Sequence, residues 1–386
     1  MYSATSMEAL INKYDKNLIS LPMNEKIKKL SLVVFSTLIT LILGEMVLQT
    51  AYRINNERWL WQEDAFRVDY IAPTDDSRRY ALRPDFYDKV QNMPINVWGE
   101  RITTQPFTEE VGQVVVCLGD SVPFGAGIGN EVTYPTFLAE TLSEQGYRYY
   151  VINAGVPSYN LKQSFEKLKI EVFSHVKPSD VQVITVQAAN DISLLTYYRE
   201  NWTPDLTWAD VRFNITPIPF SNFLAISHYL SQWLSHPKGT MTDYDPGVML
   251  SATRRLLMEE MENLKLENDK VSVILLPINP FYYQLENTDR NASLGRWERY
   301  GAPHSGLVNS WDALIRDFND VLMDVSNQWE HVYYLDVRYL MDQVEREGLY
   351  GDYIHLTEAG SRLQAEFVTQ FMQENGMLTE GSKDSN

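Results

Sequence analysis

Val114-Val115-Val116-Cys117-Leu118-Gly119-Asp120-Ser121-Val122-Pro123-Phe124-Gly125 is the stretch on which the fold of this chain is decided. Its first five residues, Val114–Leu118, form an apolar run without polar alternation, the pattern of a strand buried on both faces. The run breaks at glycine. A serine one step past a strand end, on a turn flanked by Gly119 and Gly125, projects its hydroxyl at the edge of a sheet. The same turn leaves the Ser121 backbone N–H pointing outward, where it can meet an oxyanion. A Gly-Asp-Ser turn also occurs in folds without chemistry, so its weight depends on what the rest of the chain brings beside it.

Four further apolar runs follow: Tyr149–Asn153, Val181–Gln187, Val271–Pro277 and Val332–Asp336. Helical stretches lie between and after them. One is capped near Thr133, one starts near Leu161, one runs from about 248 to 267, and the last from about 357 to 372. Apolar strands alternating with helices predict an α/β domain of three layers, α/β/α, with a central parallel five-stranded sheet of flavodoxin-like type. In such sheets ligands bind beyond the carboxyl ends of the strands.

The residues directly after the strands therefore matter most. After the second run comes Asn153-Ala154-Gly155, where Gly155 permits close backbone approach and offers a second N–H donor, or simply serves a turn. After the third comes Ala188-Ala189-Asn190-Asp191; the Asn190 amide can donate to a developing oxyanion, although Asn-Asp also opens ordinary helices. Near the C-terminus, Asp352-Tyr353-Ile354-His355 precedes Thr357, a helix N-cap. Three residues apart on a tight turn, the Asp352 carboxylate can bond one imidazole nitrogen of His355 and leave the other facing a serine. The other histidines, at 175, 228, 236, 304 and 331, have no carboxylate at comparable spacing and form no metal-ligand pattern, so they are read as surface or packing residues.

Taken in order, these four blocks resemble the SGNH hydrolase superfamily, the GDSL-type esterases and lipases, from about 114 to 371. The resemblance implies Ser121 as nucleophile, His355 as base and Asp352 as acid. It also implies an oxyanion hole made of the Ser121 N–H, the Gly155 N–H and the Asn190 side chain, with no metal and no cofactor. Asn96-Val97-Trp98-Gly99-Glu100-Arg101 is similar to the N-x-x-G-x-R stretch that precedes the serine strand in many membrane-anchored members. One departure stands out: the third block is usually G-x-N-D, and here Ala188 replaces the glycine, placing a methyl beside the hole. On this resemblance the chain is expected to be an ester hydrolase using a Ser-His-Asp triad.

A second apolar stretch lies upstream, Leu30–Leu48, about 28 Å long as a helix and so near the thickness of a bilayer. Glu45 lies near its far end. Lys13, Lys16, Lys26, Lys28 and Lys29 precede it, against Arg53 and Arg58 after it, which predicts a cytoplasmic N-terminal tail and an extracytoplasmic bulk. The tail before the span is long for a cleaved signal peptide and no small-x-small site follows, so an uncleaved single-pass anchor in the cell membrane is expected. The expected organisation is tail 1–29, anchor 30–50, polar connector 51–110, SGNH hydrolase domain 111–375 and a disordered tail 376–386. Within the domain, 195–245 is an aromatic-rich insertion (Tyr197, Tyr198, Trp202, Trp208, Phe213, Phe220, Phe223, Tyr229, Trp233), either a wall over the site or a packing subdomain.

The chain has 386 residues with 33 basic against 51 acidic, a formal charge of −18, and one cysteine. Such an acidic chain without a Lys/Arg patch is expected to have no nucleic-acid partner. One cysteine excludes an intramolecular disulfide and a thiolate zinc site. A 44% hydrophobic composition excludes a wholly disordered chain. Beside the resemblance, the expected anchoring outside the membrane, the acidic surface and the aromatic-rich insertion favour an acylated glycan or lipid as substrate, with O-acetyl groups of an envelope polysaccharide first. O-acyl transfer to a glycan, lipase or lysophospholipase activity and a non-catalytic scaffold are the alternatives; protein partners are unknown. Asn201, Asn214 and Asn291 lie in Asn-x-Ser/Thr sequons.

Overall fold

The computed structural model describes residues 23–56, 70–89, 92–103, 113–188, 190–198, 202–207, 246–278, 307–337, 340, 348–350 and 354–378. They fall into two compact units. The first contributes a single helix, α1 (Met23–Asn56). Within it Ile27–Ala51, 25 residues, is long and apolar enough to be a candidate membrane span. Its hydroxyls fold back on the helix: Ser36 and Thr37 both donate to Val33 O at 2.9 Å, and Thr40 to Ser36 O at 2.9 Å. Glu45 accepts from Gln49 at 2.6 Å one turn on, so its carboxylate has a local partner.

The second unit is built on a five-stranded parallel sheet: β5 (Val114–Gly119), β6 (Tyr150–Gly155), β7 (Val181–Gln187), β8 (Ser272–Leu275) and β9 (Val332–Tyr334). The order is β6-β5-β7-β8-β9, all neighbours parallel. Each strand coincides with one of the five apolar runs. Alternation of side chains across the strands explains why those runs are continuous. Val114, Val116 and Leu118 point to one face, where they pack with Leu161, Phe165, Leu257 and Phe318. Val115 and Cys117 point to the other, against Phe137, Leu138, Val368 and Met372. Helices cover both faces: α4 (Leu161–Lys167), α6 (Gly247–Glu267) and α7 (Leu307–Ser326) on the first, α3 (Tyr134–Glu144) and α8 (Glu358–Glu374) on the second. Two others begin at the sheet's edge: α2 (Ser121–Phe124) and α5 (Asn190–Tyr198).

Residues 70–103, inside the span read as an irregular connector, pair into two small antiparallel hairpins, β1 (Ile71–Pro73) with β2 (Tyr80–Leu82) and β3 (Tyr87–Asp88) with β4 (Met93–Pro94). Strands of two or three residues carry no readable periodicity. Their anchoring is nonetheless firm, because Tyr80, Leu82, Met93, Ile95, Glu100 and Arg101 are all buried. From this segment Arg101 bridges Asn153 in antiparallel fashion, and Thr103 donates to Val151 O at 3.0 Å. The open edge of β6 is thereby partly covered. Of the aromatic-rich insertion, Trp202 is buried in the core of the first face. Residues 208–245 of that stretch, Asp352 and the tail from 379 lie outside the described residues.

Candidate active site

The site forms where β5 ends. Gly119 lies so close to β7 that an added Cβ would fall 1.9 Å from Gln187 O, so only glycine fits. Asp120 follows, fully buried, and its two carboxylate oxygens do different work. Oδ1 accepts from the Val122 N–H at 2.9 Å and caps α2, while Oδ2 accepts from the Asn190 side-chain amide at 3.1 Å. Ser121 is thus the first residue of a one-turn helix. Gly125, at φ +80°, closes that turn with its N–H on Ser121 O at 3.1 Å and Val122 O at 3.0 Å.

His355 comes from the far end of the chain. Its Nε2 is 2.8 Å from Ser121 Oγ, hydrogen-bond distance for a serine–imidazole pair. The loop carrying it is fastened on both sides. Leu356 bridges Tyr350, the Thr357 N–H donates to Leu349 O at 3.0 Å, and Thr357 Oγ1 caps α8 by accepting from the Gly360 N–H at 3.3 Å. Gly360 is required there, since a Cβ would sit 2.1 Å from Leu349 O. A small, mostly apolar cavity lies under the pair, lined by neighbours of both partners (Asp120, Val122, Ile354 and Leu356) and by Ala188 and Ile278 from the ends of β7 and β8, but not by Ser121 or His355. The methyl of Ala188 is therefore a wall of this cavity.

The resemblance implies three donors around Ser121, and each has a defined position. Ser121 N heads α2. Asn190 brings its amide to the site, donating to Asp120 Oδ2 at 3.1 Å and Tyr159 O at 3.2 Å. Gly155 is pressed against α2, its Cβ position 2.3 Å from Phe124 N, so close approach is its firm requirement. Its N–H donates to Asn153 Oδ1 at 3.1 Å, so the donor expected from Gly155 is already engaged. Three residues on, Ser158 takes φ +69° after Pro157, a backbone region that usually calls for glycine and that a Pro-Ser pair does not announce.

Two residues beyond the expected set also shape the site. Asp191 Oδ2 accepts from the Leu161 N–H at 2.8 Å, tying the Asn190 turn to the start of α4. Burial pushes its carboxyl up to about 6. Arg101, from the N-x-x-G-x-R stretch, is 1% exposed and lies behind α2. His175 does have a carboxylate close in space, Glu100 Oε1 at 3.2 Å, and stacks on Trp98 with ring centroids 4.4 Å apart. It is buried packing away from the serine turn, and Glu100 is too distant in sequence for spacing to reveal. Cys117 is buried under the site with its thiol pushed up to about 11 by burial, which makes it core and not a nucleophile.

Similar solved structures exist. A lipase/acylhydrolase from Enterococcus faecalis is 17% identical over 71% of this chain and 100% of its own, with a TM-score of 0.41. A member of the lipolytic G-D-S-L family from Veillonella parvula is 12% identical over 68% and 98%, with a TM-score of 0.37. An acetyl xylan esterase from Geobacillus stearothermophilus is 13% identical over 69% and 96%, with a TM-score of 0.38. The chain is similar to G-D-S-L lipases and esterases. No protein-family model and no curated protein matches it.

Proposed function

We propose that this chain is an SGNH-type serine ester hydrolase. The observation that carries it is the 2.8 Å contact between His355 Nε2 and Ser121 Oγ on a turn at the carboxyl edge of a parallel sheet. In the proposed reaction His355 accepts the Ser121 proton as Oγ attacks the ester carbonyl, forming a tetrahedral oxyanion. Collapse expels the alcohol, which takes the proton from His355, and leaves an acyl-serine. Water, activated by the same imidazole, then releases the acid and restores Ser121. Asp352 is assigned as the acid that orients His355. The oxyanion is assigned to the Ser121 N–H, joined by the Gly155 N–H once it leaves Asn153 and by the Asn190 amide once it releases Asp120 or Tyr159.

The substrate side of the proposal is a short acyl ester, O-acetyl first, on an envelope or extracellular polysaccharide. Ala188 follows directly on Gln187, the register partner of Gly119 where the serine turn begins, and its methyl in place of a glycine favours a short acyl group. The candidate span, with Lys26, Lys28 and Lys29 at its start, suits an enzyme anchored in the cell membrane with its catalytic domain outside. Labelling with a fluorophosphonate probe tests the assignment. Wild type should label and Ser121→Ala should not, and hydrolysis should fall with chain length across an ester panel from acetyl to long acyl. Equal labelling of the Ser121→Ala variant would overturn it.

A further inference from the structure

Arg101 is a cation in an unusual setting. Its guanidinium donates through Nη1 to Phe124 O at 2.8 Å and Gly125 O at 2.7 Å. It donates through Nη2 to Ile128 O at 2.7 Å and through Nε to Asn130 Oδ1 at 3.2 Å, and it lies 5.1 Å from the centroid of the Phe124 ring. Among the described residues no carboxylate forms an ion pair with it. Burying a charge without an ion pair is costly, and here backbone dipoles and an aromatic face take the place of a paired carboxylate, with the charge of Glu131 adding to them from farther off. Burial brings the guanidinium down to about 10, still cationic at neutral pH.

Its acceptors are the carbonyls left over where α2 ends. A helix of one turn cannot satisfy its own last carbonyls, and the chain curls through Gly125 too tightly for a second helix to do so. The guanidinium fork fits several acceptors on a curved backbone, which a compact ammonium does not. Arg101 is also fixed from behind. Its backbone bridges Ile95 on one side and Asn153 of β6 on the other, and the Asn153 amide reaches the same Phe124 O at 3.5 Å. The turn bearing Ser121 is held by Asp120 in front and Arg101 at the rear. His355 hangs from a separate element, so it does not follow if that turn shifts.

We infer that Arg101 is a positioning residue for the reaction: by holding the carbonyls of Phe124, Gly125 and Ile128 it keeps Ser121 Oγ in register with His355. This inference rests on the proposed role of Ser121. In the full-length protein in detergent micelles, the fluorophosphonate labelling rate constant and the labelled fraction are measured separately for wild type, Arg101→Lys, Arg101→Met and Arg101→Ala. The turnover of p-nitrophenyl acetate is measured alongside.

A displacement of the nucleophile by about 1 Å costs on the order of 10²-fold, so that loss is expected in both the rate constant and kcat of Arg101→Met, with KM little changed. Arg101→Lys should lose less, and millimolar guanidinium, unlike ammonium, should restore part of the Arg101→Ala rate. A lower labelled fraction at an unchanged rate constant would show that Arg101 serves folding alone and overturn the inference. So would a wild-type rate in both Lys and Met variants. If Met and Ala do not fold, the Lys variant decides by the same two quantities. Failure of wild type itself to label would overturn the serine assignment, and the inference with it.

Discussion

Asp191 follows the amide that reaches the serine turn, and its environment sets a pH dependence. Its carboxyl is buried and pushed up to about 6 from an ordinary 3.8 by desolvation, with the Leu161 N–H opposing. Because the folded value is raised, the folded state binds the proton more tightly, and stability falls as pH rises from about 4 to 6. Asp191→Asn keeps an oxygen for Leu161 N–H and removes the titration. Measured by denaturation midpoints across that window, wild type should lose up to about 3 kcal/mol relative to the variant. At this scale the sequence exposes Ser121 and His355 well, since each sits at a strand end or a helix cap with a recognisable neighbour. Arg101 is visible as part of a motif but its contact is not, because its partners are backbone carbonyls more than twenty residues away. The engagement of Gly155 N–H by Asn153 is equally hidden, as it depends on one rotamer.

Thr357 shows how an element holds His355 in place. Its hydroxyl oxygen accepts from the Gly360 N–H at 3.3 Å, and its own O–H donates to Gly348 O. It thus joins the first turn of α8 to the loop before His355. Thr357→Ala should cost about 1 kcal/mol of stability, the usual value of a lost N-cap. It should also slow fluorophosphonate labelling, whereas a substitution at exposed Glu374 on the other end of the helix should leave the labelling rate unchanged. The elements themselves were legible where burial made the pattern continuous: all five sheet strands coincide with apolar runs, and Thr133 and Thr357 cap helices as expected. Helix α7 was not singled out, although Leu314, Phe318, Val321, Leu322 and Val325 trace one face at helical spacing. The hairpins of 70–103 were not legible, since pairs of two or three residues are specified by what they pack on and not by period.

At the scale of the second unit, residues 70–103 are joined to α4 and the residues after it by charge as well as by packing. Glu171 receives both Arg78 and Lys167, whose Nζ also donates to Gly99 O at 2.8 Å. Lys167 is fully buried, and the Arg78 side chain is 6% exposed. Glu171→Gln leaves buried Lys167 facing a neutral amide, while Arg78 keeps Asp76; the change should cost about 3 kcal/mol and expose 70–103 to limited proteolysis before the sheet unfolds. The sequence shows this cluster only as scattered charges. In contrast, the division between an apolar candidate span and an acidic remainder is plain in composition alone.

Ser121 and His355 meet across 234 positions of sequence. During synthesis, β5 and its neighbours β6 and β7 are available to pair long before the imidazole has been made. A nascent or truncated chain that ends after the serine turn but short of residue 355 therefore carries Ser121 without its imidazole. Reactivity toward a serine-directed probe becomes a readout of chain completion: a ribosome-stalled series should stay dark until the last helix has cleared the exit tunnel, and then switch on within a few residues.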